Sequence, residues 1–319
     1  MCAGSSGASS PERTPSRLDR RGLLTAAAAT AAAMGGVSSL GAPAAAGEGG
    51  RPARRGVPTD QISIQLYTLR DQLAVDFEGT MAALAAIGYQ RVEHAGFVGR
   101  TVEAFKSVAD ANDIWVSSGH VSIPQPFDEA AWNASLEDAL LLGSAYIVHP
   151  FFGIDFGTGE VARDTATWAA FAEDLNTAGR MARDVGLRLG YHNHNWEFFP
   201  LTDNPGMTAY DLLIEETDPR EVHFEMDLFW VTRGARDPVD LLRRLRGRVR
   251  QYHVKDMNQG GSFGDPGTGL IDFPRIFGST RSVEEYIVER DDAGTPPRSP
   301  ADALDTARVG FEYLADVRF

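Results

Sequence analysis

Eight short runs rich in β-branched and aromatic residues recur from residue 60 onward, and a longer stretch with helical spacing follows each of them. The runs are QISIQLY (61–67), QRVEHA (90–95), IWVSSGH (114–120), AYIVHP (145–150), LRLGYH (187–192), EVHFEMD (221–227), RQYHVKD (250–256) and EEYIVER (284–290). Between them lie FEGTMAALAAIG, TVEAFKSVADAN, DEAAWNASLEDALLLG, DTATWAAFAEDLNTAGRMARDVG, MTAYDLLIEET, PVDLLRRLRG and IDFPRIFG, and ADALDTARVGFEYLADV follows the last run. Gly88, Gly143, Gly186 and Gly247 stand where helices should end, because glycine enters the left-handed C-cap conformation without strain. Strands joined by helices must run parallel. Eight such units predict an α/β fold closed into a (β/α)₈ barrel over residues 60–319. A doubly wound open sheet is the competing arrangement, but no G-x-G-x-x-G follows the first run.

Alternation along each run divides its residues between the helix layer and the lumen. In VHFEMD, Val222, Phe224 and Met226 share one face, and His223, Glu225 and Asp227 the other. RQYHVKD sets Tyr252 and Val254 against Gln251, His253 and Lys255, and QISIQLY sets Ile62, Ile64 and Leu66 against Ser63 and Gln65. The outward faces are apolar and the inward ones polar. The last inward residue of each run gives Gln65, Glu93, His120, His149, His192, Asp227, His253 and Glu289. Taken singly, any of these reads as a hydrogen-bonded core residue. Eight together need a compensating charge, since even one buried neutral polar group without a partner costs roughly 1–3 kcal/mol and a lone carboxylate far more. Lys106 and Lys255 are the only lysines, so a divalent cation is the expected balance. Nitrogen and oxygen donors suit Mn²⁺, Co²⁺, Zn²⁺ or Fe²⁺. The GGSFGDPGTG segment (260–269) lacks the G-K-[ST] of a phosphate loop and reads as a mobile loop over the site.

A net charge of −14 argues against nucleic acid as a partner. The first residues are of another kind. Arg20-Arg21 leads into an Ala-rich run, Leu23 to Met34, too short for a membrane span of about 20 residues. Ala44-Ala45-Ala46 then offers a small-residue cleavage site. Residues 1–46 are therefore expected to be a twin-arginine export signal and 47–59 a flexible linker. The mature protein is expected in the periplasm or outside the cell, without membrane attachment; an oligomer is compatible with its composition. The one cysteine, Cys2, lies within the signal, so no disulfide is expected.

At ISIQLYTLRD, VEHAGF, YHNHNWEF, FEMDLFW, YHVKD and IVERDD the sequence resembles the xylose isomerase-like TIM barrels, the sugar phosphate isomerases and epimerases. The resemblance covers nearly everything after residue 60. It implies a metal set of His192, Asp227, His253 and Glu289, with histidine at the first position where the family commonly has glutamate. It also implies a small carbohydrate substrate and an isomerase or epimerase that removes a proton next to a carbonyl through a metal-stabilised enediolate. Glu289 is then the first choice for proton transfer and Glu197 the second, with Lys255 stabilising oxyanion charge. Gln65, Glu93, His120, His149, His194 and Trp230 are the expected substrate contacts. Because His192 breaks the two-glutamate symmetry, a metal-dependent lyase or dehydratase on a keto-sugar, inosose or 3-keto-glycoside is the alternative. A non-catalytic exported carbohydrate-binding protein is the alternative in another class.

Overall fold

The computed structural model describes residues 54–319; the expected export signal and residues 47–53 of the linker lie outside them. Eight parallel strands follow one another in chain order: β1 (Ile62–Ile64), β2 (Arg91–His94), β3 (Trp115–Gly119), β4 (Tyr146–His149), β5 (Arg188–His192), β6 (Val222–Asp227), β7 (Val249–Val254) and β8 (Glu285–Val288). Continuous ladders join β4 through β8 and close β8 onto β1, while β2 pairs with β3. Parallel bridges at Gln65–Glu93 and His120–Val148 complete the circle. This is the (β/α)₈ TIM barrel, in place of the open sheet.

Helices start where the sequence supplies an acceptor. Asp76, Thr101, Asp128, Asp164, Thr208, Asp237 and Asp272 each accept a backbone amide of the first turn. The last helix, Pro300–Asp316, packs over the seam between β1 and β8. Tyr89 donates its hydroxyl to the Ala307 carbonyl at 2.7 Å, and Gly310 lies so close to β8 that a Cβ there would come within 2.5 Å of Val288. Among the described residues no helix is long and apolar enough to cross a membrane.

Residues 55–59 differ from the flexible linker expected of them. Arg55 and Phe319 exchange both backbone hydrogen bonds, at 2.8 and 2.9 Å, and Val57 is buried. The segment thus forms part of the barrel floor. The 260–269 loop is also tied down rather than free. Asp256 accepts the amides of Gly267 and Gly269 on one oxygen and those of Met257 and Ile271 on the other. Phe263 adds ring contacts to Phe229 and Trp230.

The outward residues Ile62, Ile64, Leu189, Tyr191, Phe224, Met226, Tyr252 and Val254 are sealed beneath the helices. Inside, the floor is a hydrogen-bonded polar plug. Ser117 donates to Glu285, Gln251 donates to the other Glu285 oxygen at 3.1 Å, and His223 meets Gln251 at 3.0 Å. Burial pushes Glu285 up to about 7. The site rests on this plug.

Candidate active site

The strand ends and the segments that follow them deliver side chains into a cavity of about 540 Å³ at the C-terminal mouth. Tyr67, Phe151, Phe156, Trp196 and Trp230 form its aromatic wall, and His120, His192, His194, Lys255, Glu289 and Asp291 its polar end. His194 stacks on Trp196, ring centroids 4.3 Å apart. Asn193 ties β5 to β6, because its amide donates to the Asp227 carbonyl at 3.3 Å and accepts the Asp227 N–H at 3.2 Å. The Asp227 side chain caps the short helix Leu228–Arg233 with Oδ1, which takes the Trp230 amide at 2.8 Å.

That cap leaves Asp227 Oδ2 without a hydrogen bond although it is fully buried. It lies 3.7 Å from His192 Nε2 and 3.1 Å from Lys255 Nζ, off the direction needed for a hydrogen bond with the latter. Lys255 also contacts Glu289 at 2.7 Å and Asp291 at 2.8 Å, and Glu289 Oε2 lies 2.7 Å from His253 Nδ1. One ligand atom from each of His192, Asp227, His253 and Glu289 falls within 4.8 Å of the others.

Burial opposes charge on every one of these groups, and their neighbours decide which stay charged. For Lys255 burial is outweighed by Asp227, Asp291 and Glu289, so its ammonium is held well above its usual range. For His253 burial is outweighed by Glu225 and Glu289, which raise it well above its usual range. His192 goes the other way: burial, with His253 alongside, lowers it to about 3 and leaves a neutral ring with a free lone pair. Burial lifts Asp227 to about 6. Glu289 is held low because Lys255 and His253 overcome its burial. The carboxylates Asp227, Glu289 and Asp291 thus lie against Lys255, and Glu93 and Glu225 against the histidines. An orphaned carboxylate oxygen, a neutral imidazole and two further oxygen and nitrogen donors suit a divalent cation.

Most of the sequence-predicted residues meet here. Gln65 and Glu93 bond each other at 2.7 Å below the rim, and His120 lies 3.2 Å from Glu93. His194 and Trp230 line the cavity wall. Two residues point elsewhere. His149 was expected at the rim, but Tyr146 and Val148 take the inward positions of β4, beside His223 and Gly190. His149 instead packs on Phe171 of the helix layer and is fixed by the Ile123 amide and the Phe151 carbonyl. Glu197 is not in the cavity lining either; it accepts the Tyr191 hydroxyl at 2.8 Å and the His194 amide at 2.9 Å behind β5. Glu225 and Asp291 were absent from the expected set. Glu225 was legible as the inward neighbour of Asp227; Asp291 follows the last strand and had no parity to mark it.

Burial lifts Glu197 to about 8 from an ordinary 4.5, despite those two hydrogen bonds to its charged form. Between these values the folded chain holds a proton that the unfolded chain releases. Stability contributed by this group is therefore complete below the unfolded value and falls as pH rises, by up to about 1.4 kcal/mol per pH unit. Glu197→Gln removes the slope. In urea unfolding, wild type is expected to lose ground steadily to the variant between about pH 5 and pH 8. A constant difference across that window would show that the carboxyl is ionised.

A family model described as xylose isomerase-like TIM barrel matches residues 81–286. Among curated proteins, an inosose dehydratase of Clostridium beijerinckii is 25% identical over 232 residues, covering 63% of this chain and 76% of that one. An inosose dehydratase of Clostridium botulinum is 24% identical over 273 residues, covering 75% and 89%. Among solved structures, a sugar phosphate isomerase/epimerase from Parabacteroides distasonis aligns with a TM-score of 0.68 at 23% identity, over 81% of this chain and 95% of that one. D-psicose 3-epimerase aligns with a TM-score of 0.58 at 14% identity, over 79% and 97%. At such identities the structural likeness concerns the fold. The family match spans well over half of the chain and falls on a barrel whose eight strands close in sequence order, and the chain therefore belongs to the xylose isomerase-like TIM barrel family.

Proposed function

We propose that this protein is a divalent-metal-dependent lyase that removes a proton next to the carbonyl of a small keto-sugar or inosose and then expels a β-oxygen substituent. One observation carries the reading: His192, Asp227, His253 and Glu289 bring ligand atoms within 4.8 Å of one another at the polar end of an aromatic-walled cavity. A cation held there would withdraw electrons from a substrate carbonyl and so acidify the neighbouring C–H bond. Glu289, charged and lining the cavity, accepts that proton and then returns it to the departing β-oxygen, which leaves as water or alcohol while the C=C bond forms. Lys255, fixed by its three carboxylates, keeps a positive charge beside the oxygen where negative charge develops. Trp196, Trp230 and Tyr67 supply ring faces for a sugar.

Elimination ranks ahead of isomerisation or epimerisation on two grounds. Epimerisation needs a proton donor and acceptor on opposite faces of the substrate; Glu197 faces Tyr191 behind the strand, and the second carboxylate of the lining, Asp291, is held by Lys255. The curated relatives named above are dehydratases. The substrate is unphosphorylated in this reading, because the cavity lining has no arginine and its one lysine is bound to carboxylates. Export by the signal in residues 1–46 fits the same substrate.

The test is NMR of an inosose and of keto-sugars incubated with the protein in D₂O, before and after chelation. Deuterium at the α-carbon together with loss of water or alcohol is expected, and chelation should abolish both. Deuterium with recovery of an epimer would restore the isomerase reading. Undiminished turnover by the chelated protein would remove the metal from the mechanism.

A further inference from the structure

Beneath the four candidate ligands lies a carboxylate with no part in the proposed chemistry. Glu225 Oε1 sits 2.8 Å from His120 Nε2, 2.9 Å from His192 Nδ1 and 3.0 Å from His253 Nε2. Glu93 Oε1 shares the work, at 2.8 Å from His253 Nε2 while also accepting the Gln65 amide at 2.7 Å. Both glutamates are fully buried. An imidazole that donates one N–H downward presents its other nitrogen upward. Resting on the metal reading above, we infer that Glu225 is a positioning residue that fixes the tautomer of His192, with Glu93 taking the Nε2–H of His253, so that His192 offers Nε2 and His253 offers Nδ1 to the cation.

The distances distinguish this arrangement from a second ion site made by His120, His192, Glu225 and His253, whose ligand atoms also cluster within 4.8 Å. Donors about 2.1 Å from a tetrahedral ion stand roughly 3.4 Å from one another. Here His120 Nε2 and His192 Nδ1 hydrogen-bond to one carboxylate oxygen at 2.8 and 2.9 Å, with His253 Nε2 3.0 Å from it. The oxygen itself occupies the centre. In the upper set His192 Nε2 and Asp227 Oδ2 stand 3.7 Å apart, wide enough for an ion between them, and an ion there would replace the 2.7 Å hydrogen bond between His253 Nδ1 and Glu289 Oε2. The departure at position 192 then has a local counterpart: a histidine ligand needs an acceptor for its second nitrogen, and the residue two before Asp227 on the neighbouring strand provides it.

The experiment is calorimetric titration of chelated protein with Mn²⁺, comparing wild type with Glu225→Gln, which keeps the volume and removes the charge. One ion per wild-type chain is expected, with the variant weaker by about 10–100-fold and its far-UV circular dichroism unchanged. Equal affinities, within twofold, would overturn the positioning role while leaving the metal site standing. Two ions per wild-type chain would also overturn it, making Glu225 a ligand. A wild type that takes up no Mn²⁺ would fail at the earlier step, the metal reading itself. Should Glu225→Gln not fold, long-range ¹⁵N–¹H NMR of the Zn²⁺-loaded wild type decides the question. His192 is expected to carry its proton on Nδ1 and His253 on Nε2, and the reverse tautomers would refute the inference.

Discussion

Changing Glu289 to glutamine is expected to lower turnover by roughly 10²–10⁴-fold, the range that a positioned general base contributes. The carboxylate is low in pKa because Lys255 and His253 outweigh its burial, so it enters the reaction ready to accept a proton. Glutamine fills the same space and retains an oxygen for the ammonium 2.7 Å away, but it has no basic lone pair of comparable strength. The fold should survive, because Lys255 keeps Asp227 and Asp291 as partners. The decisive comparison is kcat and α-proton exchange in D₂O, read beside Mn²⁺ affinity. A variant that still binds Mn²⁺ but exchanges no proton assigns Glu289 to the chemistry. Exchange at the wild-type rate would transfer the role to another group.

Lys255→Met should have the second large effect, on stability. The ammonium is 1% exposed and touches Asp227, Glu289 and Asp291. Methionine fills much of the stem's volume but leaves the buried Asp227 and Glu289 and the partly exposed Asp291 without the ammonium. Removing one partner of a buried ion pair typically costs about 3–5 kcal/mol. Metal-free Lys255→Met should therefore unfold at lower urea concentration by an amount in that range. Protonation of Asp227, already lifted to about 6 by burial, will soften the loss as pH falls. Added Mn²⁺ should restore more stability to the variant than to wild type, because the ion meets a larger uncompensated charge. If urea midpoints of metal-free wild type and variant coincide, the carboxylates are already neutral and the charge argument for the site fails.

The barrel was legible because alternation survives in most strands. In VHFEMD and RQYHVKD every second residue is polar, and a one-residue slip would put His223, Glu225 and Asp227 among the helices. Where alternation is missing the reading went astray. AYIVHP has apolar residues on both faces, so nothing in it reveals that Tyr146 points inward and His149 outward. The histidine was assigned to the lumen by its chemistry alone, and the Phe171 ring proved the stronger partner. Glu225 is not marked by its place, because the last inward residue of each strand defines the rim, whereas a hydrogen-bond acceptor for His192 sits one step deeper. Glu197 shows a different limit. It follows β5 by only a few residues, yet a short 3₁₀ turn, Trp196–Phe198, carries its carboxyl behind the strand to Tyr191. Sequence distance from a strand end does not fix on which side of the wall a loop residue falls.

The exchange of hydrogen bonds between Arg55 and Phe319 has a practical corollary. The chain rises into β1 from the floor, and the helix Pro300–Asp316 runs back down to it, so Phe319 lies at the end of the cylinder opposite the aromatic wall. Protein immobilised on a bead at Phe319 would turn its open end to the bulk liquid, leaving the route of incoming substrate unobstructed.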